Sequence, residues 1–257
     1  MEQFVCLSGL PRAGSTLLSA ILSQNPLLHA EGNSAVCQLM WDLHKSGLTT
    51  SNEQLKANGR EITTMHTLLS NIPKLYYNNL NGSEKIVVDK CRSWTIPANL
   101  SLLEKYVDPN YKVIILERSV TDIVKSFLKL YKANGLDITS AGAQLIMPNT
   151  EPIMRSLTGI NWAKKNNQAN HFLFVQYADL VRTPAAVIER IYAFCGWAPF
   201  VHDYTHIVCK YPENDEIYGL KGMHQVHDTL IPRENPIVLQ KKLQAKCETI
   251  DKLMGYC

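Results

Sequence analysis

Apolar runs of four to six residues recur along the chain, separated by stretches with helical periodicity. Phe4 to Leu7 is the first, and its composition predicts a buried strand. "EKIVVDK" (84–90), "YKVIILERS" (111–119) and "HFLFVQYADL" (171–180) predict three more, with Val113 to Leu116 the most apolar core. Between them, Leu17, Leu18, Ile21 and Leu22 form a helical stripe, and "VTDIVKSFLKLYK" (120–132) repeats that period. "TPAAVIERIYAFCGW" (183–197) reads as a helix with Thr183 at its N-cap, Pro184 at the first helical position and Gly196 as its stop. Strands alternating with helices predict an α/β fold, a parallel sheet covered on both faces. Residues 33–80 and 132–170 read as mostly helical. From about residue 200 the chain turns polar, with prolines and histidines, and this tail is expected to lie over the sheet end where open α/β folds bind ligands.

Composition adds bounds. A chain of 257 residues suits one domain spanning 1–257. A net charge of +3 does not by itself argue for nucleic acid, though a local basic pocket for a small anion fits it. The seven cysteines include no C-x-x-C pair, so neither a disulfide framework nor a zinc site is indicated, and a reducing, cytoplasmic setting is the simplest expectation. Cys6 is expected to pack as a small hydrophobe. No apolar run reaches the length of a membrane span, and no signal peptide is expected ahead of the first strand.

The first strand runs into "SGLPRAGST" (8–16), a glycine loop that opens a helix. Unpaired amides and the helix dipole make such a turn an anion site, and glycines let the backbone come close to the ligand. Gly9 and Gly14 have the spacing of a Walker loop, but Ser15 stands where its lysine belongs, and the positive charge sits at Arg12. The residues alone leave three readings open: a P-loop nucleotide kinase, a different phosphate-group enzyme, and a non-catalytic anion-binding module.

"GLPRAGST" resembles the 5′-phosphosulfate loop of sulfotransferases, in the P-R-x-G-[ST]-[ST] form of tyrosylprotein sulfotransferases and related bacterial enzymes. Two further segments resemble the same family in the same order. Arg118 and Ser126 in "VIILERSVTDIVKSFLKL" match its 3′-phosphate element. "VQYADLVRTPAAVIERIYAFCGW" is similar to a later family segment, with Ala178 in place of the usual glutamate.

The resemblance implies a P-loop-like three-layer fold and transfer of a sulfuryl group from 3′-phosphoadenosine-5′-phosphosulfate (PAPS) to an acceptor hydroxyl, without a metal. It implies cofactor contacts from Arg12, Ala13, Gly14, Ser15, Thr16, Arg118, Ser126 and Tyr177. Lys221 and Gly222, in a loop like the one that closes over PAPS, complete the set, with His224 behind them. Acceptor contacts are expected from the segments 33–80 and 132–170, and cofactor cover from the tail, 200–257. Arg12 and Lys90, the latter ending "KIVVDK", are the cations expected at the transferring group. Glu31 in "HAEGN" is the candidate general base, although the family's base falls about two positions later, at Asn33. His29 is its rival. Asp89 is a third choice, but it alternates to the other side of its strand.

Overall fold

The computed structural model describes residues 1–80, 82–148, 152–167, 170–230 and 235–256. Five parallel strands, β1 (Gln3–Gly9), β2 (Leu28–His29), β3 (Ile86–Lys90), β4 (Lys112–Glu117) and β5 (Phe172–Gln176), form one sheet in the order β2-β3-β1-β4-β5. Helices flank it, as the strand–helix alternation predicts. The sheet interior is apolar because β1, β3 and β4 are covered on both faces. Val5, Leu7, Val87, Val88 and Val113 to Leu116 have no exposed surface, and Cys6 packs among them.

The register decides where chemistry can sit. Leu7 pairs with Lys90 on one side and with Ile114 on the other, and Gly9 pairs with Leu116. The chain leaves β1 toward β2 and β3, then crosses back to β4 and β5. The carboxyl ends of β1 and β4 therefore flank the point where the winding reverses, the usual ligand position in an open α/β sheet. The glycine loop, Lys90 and Arg118 all emerge there.

Helix α1 (Ser15–Leu22) follows β1. The 33–80 segment is helical as expected, as α2 (Val36–Leu48), α3 (Asn52–Ala57) and α4 (Thr63–Tyr76). After β3 comes a 3₁₀ turn, Arg92–Thr95, and then α5 (Pro97–Tyr106). β4 leads into α6 (Val120–Ala133), and α7 (Ala141–Leu145) and α8 (Ile153–Lys165) occupy most of 132–170. Part of that segment, and Cys257, lie outside the described residues.

The fourth predicted strand is shorter than its apolar run. It stops at Gln176, and Tyr177 to Leu180 belong to α9 (Tyr177–Arg182), which begins with no intervening loop. α10 (Pro184–Cys195) starts and stops as read, with Gly196 left-handed at φ 73°. Thr183 holds the cap position, but its hydroxyl donates to the Asp179 carbonyl at 3.2 Å instead of capping.

The tail divides in two. Residues 211–226 cross the carboxyl edge of the sheet, where Glu213 meets Lys90 and the Met223 carbonyl meets Arg12. Residues Lys241–Met254 instead form α11, which packs on α6. Its buried Asp251 accepts from the Val120 and Thr121 amides, at 2.5 and 3.2 Å, and from the Thr121 hydroxyl at 2.7 Å. A carboxylate at a helix N-terminus meets both the orphan amides and the positive end of the dipole, so α11 holds the start of α6 in place.

No helix among the described residues is long and apolar enough to cross a membrane.

Candidate active site

The loop after β1 is built to present amides. Gly9 lies at φ 136°, where a Cβ would stand 2.2 Å from the Leu116 carbonyl oxygen, so only glycine lets β1 and β4 stay paired there. Gly14, at φ 92°, caps α1 with no side-chain bond, and a Cβ would strike the Tyr177 ring at 2.7 Å. The first bond of this turn runs from the Leu18 amide to the Gly14 carbonyl at 2.9 Å. The amides of residues 15–17 are thus free of helix partners, at the rim of a cleft of about 580 Å³. Ser15 and Thr16 line that cleft. Ala13 does not: it is fully buried, and its amide closes the loop onto the Leu10 carbonyl at 3.3 Å.

One end of the cleft collects arginines. Arg12 takes the left-handed conformation, φ 59°, rare for a residue with a side chain. Its Nε donates to Ser126 Oγ at 3.1 Å, and its Nη1 donates to the Met223 carbonyl in the tail. Arg118 donates through Nη1 to the Arg12 carbonyl at 3.0 Å and lies over the Tyr177 ring, 4.3 Å from its centroid. The Arg118 Nε is buried without a hydrogen-bond partner, Asp122 standing 3.9 Å away. Burial, and then the charge of Arg118, push the Arg12 guanidinium down from its ordinary value. Two crowded cations, a hydroxyl and an orphan donor make this end fit a bound dianion such as a phosphate.

Lys90 forms the other end. Its ammonium is nearly buried and donates to Thr16 Oγ1 at 3.4 Å and to Glu213 Oε1 at 2.7 Å. Burial lowers the Lys90 pKa, and the Glu213 carboxylate opposes that only in part. For Glu213, burial works against ionisation but the Lys90 charge prevails, and its carboxyl is held below the ordinary range. The other Glu213 oxygen accepts from Asn33 Nδ2 at 3.2 Å, and His224 Nε2 lies 3.6 Å from the first. Asp215 fixes that imidazole, accepting from the His224 amide at 3.1 Å and facing Nδ1 at 2.7 Å. A carboxylate cannot donate, so Nδ1 carries the proton, and in the neutral ring Nε2 is left as the acceptor.

The structure thus brings together Arg12, Gly14, Ser15, Thr16, Lys90, Arg118, Ser126, Tyr177, Lys221 and Gly222 around one cleft. Within it, Arg12 sits with Ser126 and Arg118 rather than with Lys90. The Lys221 loop is clipped to the end of α6, its amide donating to Asn134 Oδ1 at 2.9 Å, and Gly222 turns at φ 76°. Glu31 lies outside the cleft lining; its carboxylate is 3.2 Å from His29 Nε2, without the alignment of a hydrogen bond. Asn33, two residues on, lines the cleft. Asp89 is turned away and fully buried, accepting from Tyr77 at 2.8 Å and Trp94 at 2.5 Å. Glu213 and Asp215 escaped sequence reasoning because no local pattern marks them.

His29 serves a structural knot at the β2 edge. Its Nδ1 is 3.2 Å from Glu84, whose carboxylate also accepts from Lys210 at 2.8 Å and from the Tyr211 hydroxyl. Burial would raise the Glu84 pKa, but Lys210, Tyr211 and His29 outweigh it and bring it to about 2. A depressed folded pKa adds stability above the ordinary value of 4.5 and loses it as pH falls toward 2. His29 works the opposite way: burial opposes its charge, Glu31 and Glu84 prevail, and its raised pKa adds stability that is full below 6.5 and is lost as pH rises from there through the raised value. Glu84→Gln is therefore expected to be less stable at neutral pH and to flatten the acid limb between pH 4.5 and 2 in urea titrations; an unchanged limb would remove the knot as its source.

The sulfotransferase family profile matches residues 5–202. No curated protein matches the chain. Solved structures share its fold. The sulfotransferase domain of the Synechococcus PCC 7002 olefin synthase is 22% identical over 96% of this chain and 94% of that one, with a TM-score of 0.56. The sulfotransferase domain from the curacin biosynthetic pathway is 18% identical over 97% and 96%, TM-score 0.52. A sulfotransferase from Alicyclobacillus acidocaldarius is 13% identical over 98% and 92%, TM-score 0.58. A match that runs from β1 through α10 carries the glycine loop, Lys90 and the Arg118 strand with it, and on that ground the chain belongs to the sulfotransferase family.

Proposed function

We propose that the protein transfers a sulfuryl group from PAPS to an acceptor hydroxyl. The observation that carries this reading is a single cleft with cationic groups at both ends, Arg12 and Arg118 with Ser126 at one and Lys90 with Thr16 at the other. The donor set fits a nucleotide bearing separate phosphate groups. Arg118 Nε, Arg12 and Ser126 would hold the 3′-phosphate. The loop amides, Ser15 and Thr16 would hold the 5′-phosphosulfate, and Tyr177 and the Lys221–Gly222 loop would enclose the nucleoside. Bound there, PAPS supplies an activated sulfuryl group with a phosphate leaving group.

The chain's own residues do the rest. Lys90, buried and charged, neutralises negative charge where it builds up during transfer. His224 Nε2, held by Asp215, takes the acceptor proton. Glu213 keeps Lys90 in place, and Glu31 remains a second candidate base. The loop and tail exclude water from the reacting groups. Two anion sites on one frame also align donor and acceptor, the main demand of an in-line displacement.

Calorimetry tests the donor. The spent cofactor, 3′-phosphoadenosine 5′-phosphate (PAP), is expected to bind more tightly than ATP with Mg²⁺, and the reverse order would point to a kinase. Arg118→Ala is expected to weaken PAP by about 30-fold, roughly 2 kcal/mol for a charge-assisted contact, and to leave adenosine 5′-phosphate almost unchanged. Equal loss for both nucleotides would refute the 3′-phosphate role.

A further inference from the structure

A second cleft, of about 320 Å³, opens beside the first and shares Asn33, Arg92 and Met223 with it. Its floor is the 3₁₀ turn after β3, which is firmly fixed. The Arg92 carbonyl accepts from Ser8 Oγ at 2.9 Å, and Trp94 is buried with its indole on Asp89. One wall is α8. A Cβ at Gly159 would lie 2.4 Å from Thr95 Oγ1, so this face of α8 meets the turn in direct contact. Arg155, four residues earlier, shares that face and lines the cleft together with Arg92. Tyr218 of the tail closes the side. Two guanidiniums from separate elements therefore line one small space.

Position gives the space a role. Arg92 follows Lys90 by two residues, and Cys91 between them is extended at φ −153°, ψ 129°. Extended backbone separates their Cα atoms by about 7 Å. A hydroxyl presented to Lys90 and His224 would thus have Arg92, which lines both clefts, as a near neighbour. We propose that this cleft is the acceptor site and that the acceptor is a small hydroxyl compound bearing a carboxylate or phosphate, bound by Arg92 and Arg155. Fork-shaped guanidiniums suit either oxyanion. This deepens the sulfotransferase reading above and rests on it.

Transfer from radiolabelled PAPS to matched probes tests it: 4-hydroxyphenylacetate against 4-hydroxyphenylacetamide, and glycerol 3-phosphate against glycerol. In at least one pair the anionic member is expected to show a kcat/KM more than about tenfold above its neutral partner. Arg92→Gln is expected to bring that ratio close to unity by raising KM for the anionic probe, with Arg92→Lys retaining part of it. Arg155→Gln, on a different element, should act in the same direction. PAP calorimetry on each variant reports folding and the donor site. Neutral partners used equally well, no transfer to either anionic probe, or an Arg92→Gln loss shared equally by both members would overturn the acceptor proposal while PAP binding upholds the donor reading. Failure of the wild type to bind PAP would bring down the donor reading first, and this proposal with it.

Discussion

His224→Asn is expected to lower kcat by about a thousandfold while shifting the PAP dissociation constant by less than about twofold. The imidazole lines the cleft, and Asp215 fixes both its ring and its tautomer, so Nε2 is the acceptor facing the Lys90 end. A group that only takes a proton during transfer contributes to the barrier and not to nucleotide affinity. Added imidazole should restore part of the rate in the variant, an outcome that loss of packing would not produce. Asp215→Asn should show a smaller loss, because the ring keeps its place but can adopt the other tautomer. Glu31→Gln in the same assay separates the two candidate bases: a large loss there, with His224→Asn nearly normal, would return the role to Glu31.

Lys90→Met is expected to cost about a hundredfold in kcat, with a much smaller effect on PAP affinity. The ammonium is held between Thr16 and Glu213 in a site with little water, where a fixed charge acts most strongly on developing negative charge. The same change strands the largely buried Glu213 carboxylate, so a loss of stability is expected alongside it. Lys90→Met with Glu213→Gln isolates the chemistry: stability should recover in the double variant, and turnover should not. Recovery of both would assign Lys90 a structural role.

Much of this architecture is visible in the chain because its signals are local. Val113 to Leu116 read as a buried strand, and Gly9, Gly14, Arg12 and Ser15 mark a candidate anion loop within eight residues of one another. What escaped was short, seamless or distant. β2 is two residues long, too short for any periodicity. Tyr177 to Leu180 extend an apolar run without a glycine or proline, so the switch from β5 to α9 leaves no mark, although it aims Tyr177 across Gly14 and beneath Arg118. Glu213 lies in irregular backbone and Asp215 opens a short 3₁₀ turn (Asp215–Tyr218), both in a polar stretch more than a hundred residues from Lys90. Only the path of the tail over the sheet brings them to it. The sequence places Arg12 in the loop as both a cofactor contact and a cation for the transferring group, and it carries no mark of the φ 59° bend or of the Nε bond to Ser126 Oγ.

The anchoring of α6 by Asp251 bears on where this chain can be cut. The family profile ends at residue 202, an inviting boundary for expression. A fragment ending there would lack the carboxylate that holds the amides of Val120 and Thr121, and with it the support for the helix presenting Ser126. It would also lack Glu213 and His224. Recombinant pieces and C-terminal fusions should therefore keep residues 203–254 intact, since the last helix props up the floor of a cleft that lies far from it in the sequence.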